Sequence, residues 1–379
     1  MYLEKLELKH FRNYEDVNVA FSPQVNVLIG KNAQGKTNLL ESIYVLAMAR
    51  SHRTSNDREM VTFKKDAALI RGEVHQRLGN TKLELLISRK GKKAKVNYLE
   101  KARLSQYIGQ LNVILFAPED LALVKGAPSV RRRFIDMEFG QIDALYLHAL
   151  TEYRAVLRQR NKYLKELQTK KATDKVYLEI LSEQLSESGS QIIFKRLEFL
   201  QELEKYADKL HNQITQGKEH LQFQYESILK EYQGKSVLEL KQSLIEQYKT
   251  MMDKEIFQGT TLLGPHRDDV RFMLNDKNVQ VYGSQGQQRT AALSVKLAEI
   301  DLMKEKTHEY PILLLDDVLS ELDGARQTHL LKTIQNKVQT FLTTPGLSDV
   351  AQQLINKPKI FRIDNGKITE ENSFTIEEE

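Results

Sequence analysis

The chain has 379 residues, 41% hydrophobic and 28% charged, with 56 basic against 51 acidic side chains and a formal net charge of +5. That length leaves room for two or three domains at roughly 100–200 residues each, and the composition excludes disordered, collagenous and low-complexity chains. With no cysteine there is no disulfide framework, Cys-ligated zinc, iron–sulfur cluster or cysteine nucleophile, which fits a reducing compartment. The positive excess is too small to announce nucleic acid, so a binding surface requires local segregation of charge. The first thirty residues carry charges throughout, and the longest purely apolar runs are four to six residues, far below the ~18 that span a bilayer. A cytoplasmic protein with no signal peptide and no membrane association is expected.

Leu6 and Leu8 alternate with Glu7 and Lys9 as in a half-buried strand, and Val25 to Ile29 is a nearly continuous apolar strand ending at Gly30. Thr37 to Ala49 follows with Leu39, Leu40, Ile43, Leu46 and Ala47 at helical spacing. Ala68 to His75, Thr81 to Ser88 and Lys95 to Leu99, broken at Gly79-Asn80 and Gly91, predict an antiparallel meander. From about 130 to 250 the pattern turns helical. Tyr146, Leu150, Tyr153, Leu157, Leu164 and Leu167 keep a 4,3 rhythm interrupted by Arg160, and Ile193, Leu200, Leu203, Ala207, Leu210 and Ile214 resume it after a break near Lys170 to Asp174. Two long helices paired as a short antiparallel arm, or two core helices of a compact bundle, both satisfy this spacing. After 255 come a turn at Gly264-Pro265, a helix from about Gln287 to Lys304, apolar strands at Pro311 to Leu315 and Val338 to Leu342, and a hairpin signal at Asp364-Asn365-Gly366. The expected class is α/β, a head of residues 1–125 and 255–379 divided in sequence by a mainly helical arm, 126–254.

Gly30-Lys31-Asn32-Ala33-Gln34-Gly35-Lys36-Thr37 is G-x-x-x-x-G-K-T, placed between an apolar strand and a helix, the context a P-loop requires. Its glycines let successive N–H groups wrap phosphate, Lys36 reaches the β and γ oxygens, and Thr37 ligates Mg²⁺. The apolar run Ile312 to Leu315 ends in Asp316-Asp317, the Walker B pattern, in which Asp316 orients the metal's hydration shell and Asp317 polarises the attacking water. ATP and Mg²⁺ are therefore the expected cofactors, and Lys36, Asp316 and Asp317 the expected catalytic residues.

Gly283-Ser284-Gln285-Gly286-Gln287-Gln288 opens a helix and is similar to the S-G-G-Q signature of ABC-type ATPases, with Gln285 replacing the first glycine of the pair. Ser320-Glu321-Leu322-Asp323 resembles their D-loop. Leu6 to Tyr14, Arg50 to Thr54, Phe116 to Asp120, Pro128 to Phe134 and Gly264 to Asp269 resemble, in the same order and over nearly the whole length, segments of the bacterial RecF family of SMC-like ABC-type ATPases. That resemblance implies an ABC-type head and an ATP-sandwich homodimer in which Ser284, Gly286 and Gln287 close over the partner's nucleotide. It further implies that Arg12 approaches the nucleotide. The implied role is ATP-dependent binding to gapped or single-strand/double-strand junction DNA in recombinational repair, replication-fork maintenance and the SOS response. RecO and RecR are the implied partners in aiding RecA loading.

The second Walker B acid is aspartate rather than glutamate, and Thr343-Thr344 stand where a switch histidine is expected. Ala117-Pro118-Glu119 offers no Q-loop residue. Slow hydrolysis is expected from these departures, and whether the chain is a weak DNA-dependent ATPase stays open. Arg89, Lys90, Lys92, Lys93, Lys95, Lys101 and Arg103 crowd one hairpin region, and Arg131, Arg132 and Arg133 are consecutive. Such clusters release counterions on meeting phosphate, but isolated they are more often solvated surface. Lys92, Lys93, Lys95 and the three arginines are the candidate DNA contacts. His266 and Arg267 could sense nucleotide or stabilise the fold. A transporter's nucleotide-binding subunit, a short SMC-type tether and a small-molecule kinase are the competing readings; Phe11-Arg12, a helical insertion of about 120 residues and the signature motif argue respectively against them.

Overall fold

The structure is a computed structural model describing residues 1–229, 231–345, 355 and 357–371. In chain order it opens with β1 (Tyr2–Phe11), β2 (Tyr14–Ala20), β3 (Val25–Ile29), α1 (Lys36–Met48), β4 (Ala67–Gln76), β5 (Gly79–Ser88), β6 (Gly91–Val96), β7 (Leu99–Glu100) and β8 (Val113–Phe116). The middle of the chain is α2 (Leu121–Lys125), α3 (Pro128–Ile142), α4 (Ala144–Gln168), α5 (Lys175–Ile214), β9 (Leu221–Glu226), α6 (Val237–Gln258), β10 (Asp269–Leu274), β11 (Lys277–Asn278), α7 (Val279–Tyr282) and α8 (Gln285–Thr307). It closes with β12 (Ile312–Asp316), α9 (Gly324–Ile334), β13 (Thr340–Thr344), β14 (Lys359–Asp364) and β15 (Lys367–Glu371). No helix among the described residues is long and apolar enough to cross a membrane.

These elements form two compact units, Met1–Asp120 with Lys296–Glu379, and Leu121–Val295. Composition divides the chain at 125/126 and 254/255, whereas contacts divide it at 120/121 and 295/296. The physical reason for the later seam is that β10 pairs along its whole length with β9, which carries the segment after 255 into the helical unit.

The first unit holds two sheets. One is antiparallel, in the order β2-β1-β4-β5-β6-β7, and its alternation buries Leu6 and Leu8 of β1 and Leu83, Leu85 and Ile87 of β5. The expected third strand of the meander, Lys95 to Leu99, is instead β6 from Gly91 to Val96, because Asn97 and Tyr98 take positive φ and turn the chain between β6 and β7. The second sheet runs β15-β14-β3-β13-β12-β8, parallel except for the final hairpin. All five residues of β12 are buried, as a strand covered on both faces must be. Helix α1 packs against strands of both sheets, and so it is buried nearly all round rather than along one stripe.

In the second unit α4, α5 and α6 pack on one another, which favours the bundle over a two-helix arm. The third helix explains Arg160. Fully buried, Arg160 interrupts the apolar rhythm to meet Glu255 of α6 at 2.6 Å, with Ser182 and Thr261 taking its remaining bonds. A buried charge pair survives only when its other donors and acceptors are also satisfied.

Candidate functional site

Strand β3 delivers the chain into the glycine loop, where Gly30 (φ 153°), Ala33 (φ 65°) and Gly35 (φ 121°) turn the backbone back on itself. A Cβ on Gly30 would collide with the Ile363 carbonyl, and one on Gly35 would lie 2.7 Å from the Asn13 amide, so both positions require glycine. The loop is braced from outside. Tyr14 OH donates to Gly35 O at 2.9 Å and Asn13 Nδ2 to Gln34 O at 3.0 Å. Gly366 N donates to Gln34 O at 3.1 Å and Asn365 N to Gln34 Oε1 at 2.8 Å. Lys31, Asn32 and Ala33 are exposed at the tip. The Lys36 ammonium donates to the carbonyls of Gly30 and, at 2.9 Å, Lys31. Burial depresses its pKa, opposed by the charges of Asp317 and Asp316.

Thr37 Oγ1 donates to Asp316 Oδ1 at 3.0 Å, and Thr343 Oγ1 donates to the same oxygen at 2.8 Å. The Thr343 hydroxyl also accepts Asp317 N–H at 2.9 Å, and Ser320 Oγ donates to Asp317 O at 2.7 Å. Asp317 is thereby held at φ 53° with an exposed side chain. The D-loop segment continues to Asp323, whose carboxylate caps α9 through Arg326 N at 2.9 Å. Among the described residues no group of three His, Asp or Glu side chains is arranged for a metal. Thr37 and Asp316 nevertheless offer two hard oxygens side by side, which fits Mg²⁺, an ion that takes one or two protein ligands and fills the rest with water and phosphate.

Arg12 has its charge engaged by an acid of α1. Its guanidinium grips Glu41 of α1 through Nε at 2.9 Å and Nη2 at 2.7 Å, with Nη1 on Glu59 O. Burial pushes the Glu41 carboxyl up, but bonds from Arg12 and Ser51 and the charges of Arg12 and Arg53 outweigh it and hold the group below its usual range. Sequence reasoning missed Glu41; the available signal was a single acid inside the otherwise largely apolar run of α1, one turn before Tyr44. His52 packs edge-on against Tyr44 at 5.2 Å, and burial depresses its pKa.

In the second unit the signature forms a reciprocal cap at the start of α8. Gln287 N donates to Ser284 Oγ at 3.2 Å and Ser284 N to Gln287 Oε1 at 2.8 Å, the S-x-x-Q capping box. Ser284 is exposed and Gly286 half-buried, and the side chains just before them, Val281 and Tyr282, are 66% and 74% exposed.

The basic candidates divide. Arg131, one of the expected DNA contacts, is buried with both carboxylate oxygens of Asp269 at 2.8 Å, so its charge is committed within the fold rather than offered at the surface. Arg132 donates to Asp268 O at 2.7 Å, and Arg133 is exposed. Lys92 pairs with Asp57 at 2.6 Å, Lys95 with Glu84 at 2.7 Å, and Lys93 with Glu100 at 3.4 Å. His266 and Arg267 serve the helical unit: Tyr153 OH donates to His266 Nδ1 at 2.6 Å, and His266 Nε2 and Arg267 Nη2 donate to Thr261 O at 3.3 and 3.0 Å.

A parallel sheet whose strand β3 feeds a phosphate loop, with the acid-ended strand β12 one strand away, defines a P-loop ATPase head of the ABC type. Residues 2–366 match the RecF/RecN/SMC N terminal domain family. The chain is 99% identical over its whole length to the DNA replication and repair protein RecF of Ligilactobacillus salivarius, itself covered completely. It is 53% identical to RecF of Bacillus velezensis over 97% of this chain and 100% of that one. Among solved structures, the recombination mediator protein RecF with ATP in the RecFOR pathway superposes with a TM-score of 0.90 at 33% identity, covering 97% of each chain. An Smc head bound to the C-winged helix domain of ScpA shares the fold alone, with a TM-score of 0.56 at 16% identity over 98% of this chain and 97% of that one. The chain belongs to the RecF family of DNA replication and repair proteins.

Proposed function

We infer that the protein is an ATP-dependent DNA-binding clamp that dimerises around two nucleotides on gapped or junction DNA and works with RecO and RecR to help RecA load. The observation that carries this reading is the Thr37–Asp316 contact beside a glycine loop whose lysine bonds to the loop's own carbonyls. The loop's N–H groups would take the phosphates, Lys36 Nζ would leave Gly30 O and Lys31 O for phosphate oxygen, and Thr37 and Asp316 would hold Mg²⁺. The bound metal supplies charge neutralisation during phosphoryl transfer. Asp317, fixed through its backbone by Thr343 and Ser320, is the group available to orient water. An aspartate there, with Thr343 on the neighbouring strand, suits slow turnover. Arg12 acts indirectly, through Glu41 on the helix that follows the loop.

The exposed Val281, Tyr282 and Ser284 supply the surface that would close on a second subunit. For DNA, exposed Arg133 and Lys93 are the available cations, since a surface ion pair such as Lys93–Glu100 is weak and can exchange for phosphate. Lys92, Lys95 and Arg132 can join them only by breaking their present bonds. Ser284→Arg tests the shared site: ATP affinity is expected to stay within about twofold of the parent, while ATP-driven dimers disappear from sedimentation profiles. Dimers that persist in this variant contradict the shared site.

A further inference from the structure

Behind the signature a chain of polar contacts runs from Gln287 to the buried His211. Gln287, whose Oε1 caps Ser284 N, donates through Nε2 to Glu219 Oε1 at 2.8 Å. The other oxygen of Glu219 lies 3.0 Å from Nε2 of His211, a residue with no exposed surface near the C-terminal end of α5. Nδ1 of His211 meets Ser294 Oγ of α8 at 3.2 Å. Both ends of the relay therefore rest on the same helix, one at its first turn and one two turns further on.

The proton count fixes how the relay is held. Ser294 Oγ donates to Thr290 O at 2.8 Å, and the His211 ring bonds the Thr290 backbone as well, so Nδ1 faces acceptor oxygens and carries a hydrogen. A carboxylate and an imidazole lone pair cannot face each other at 3.0 Å without a hydrogen between them. One proton must then lie between His211 Nε2 and Glu219 Oε2, and it leaves Oε1 as the acceptor that fixes the Gln287 amide with its oxygen toward Ser284.

We propose that Glu219 and His211 are positioning residues for the signature: they set the orientation of the Gln287 amide and through it the geometry of the exposed Ser284 that closes on a second subunit's nucleotide. This rests on the shared-site reading above, but the order of the signature can be measured without it. Glu219→Ala removes the acceptor for Gln287. Glu219→Gln keeps that acceptor and donates an N–H to a neutral His211, and so satisfies the same proton count.

The test measures hydrogen exchange of the peptide holding the Ser284 and Gln287 amides in the full-length chain, alongside ATP affinity and ATP-driven dimerisation. In Glu219→Ala, exchange of that peptide should accelerate about tenfold while peptides from β9 and β10 keep their protection. ATP affinity should stay within about twofold and the dimer dissociation constant rise about tenfold. Glu219→Gln should restore protection and dimerisation to within about threefold. Unchanged exchange at Ser284 and Gln287 in the alanine variant overturns the proposal. So does loss in the glutamine variant equal to that in the alanine variant, or loss spread evenly over β9 and β10. If the parent itself fails to dimerise with ATP while the exchange pattern holds, the shared-site reading fails and the positioning role stands.

Discussion

Thr37 and Asp316 lie 279 positions apart in the chain and 3.0 Å apart in the structure, hydroxyl to carboxylate, at the end of the glycine loop. The contact exists because β3 and β12 flank β13 in one parallel sheet, so that both strands end at the same edge, where ligand sites of α/β sheets form. Thr343, at the end of the intervening strand, joins the same oxygen.

Thr343→Val keeps the shape of that strand but removes a donor to Asp316 and the acceptor for Asp317 N–H. Leaving a buried polar group unsatisfied costs about 1–3 kcal/mol, so the unfolding free energy of the variant should fall by about that amount in nucleotide-free denaturant titration. Magnesium-dependent ATP binding should weaken more than magnesium-free binding. Equal stability to the parent would mean that Thr343 does not hold the acid pair.

Gly366 takes φ 77°, and a Cβ there would lie 2.5 Å from Asn13 O, in the turn that braces Gln34. Gly366→Ala should therefore loosen the phosphate loop from outside, lowering ATP affinity about tenfold in equilibrium binding with a small change in overall secondary structure. Unaltered affinity would show that the loop holds its form without the hairpin.

Burial lowers the His266 pKa from 6.5 to about 4, with Nδ1 accepting from Tyr153. The unfolded chain takes up a proton that the folded one refuses between those values, so this group's contribution is fully present above about pH 6.5 and is lost as pH falls to about 4. Its full size is roughly 3 kcal/mol at 1.36 kcal/mol per unit. Unfolding free energies of the parent and of His266→Gln across pH 4–7 should converge toward the acid end; parallel curves would contradict a neutral, buried His266.

The loop, the acid-ended strand and the signature are legible in sequence because each is a contiguous run whose chemistry depends on near neighbours. The head's strands are legible for the same reason: their alternation or continuous apolarity follows from being covered on one face or two. What escapes is pairing across distance. Arg131, Arg132 and Arg133 read alike until Asp269, 138 positions from Arg131, takes one of them into the fold. Lys92 and Lys95 look like a phosphate cradle until Asp57 and Glu84 appear beside them. Arg160 breaks a heptad with no visible reason until a third helix supplies Glu255, and Arg12 is drawn to Glu41 because the first strand and the loop's helix are neighbours.

The most direct test of the nucleotide-gated clamp is fluorescence anisotropy on a gapped duplex with ATP, with ADP and with Lys36→Ala, each across a salt series. Phosphate contacts make log affinity fall linearly with log salt. Tight, salt-dependent binding with ATP, lost with ADP and in the variant, is the expected result. Binding that ignores the nucleotide, or is absent throughout, would contradict the clamp.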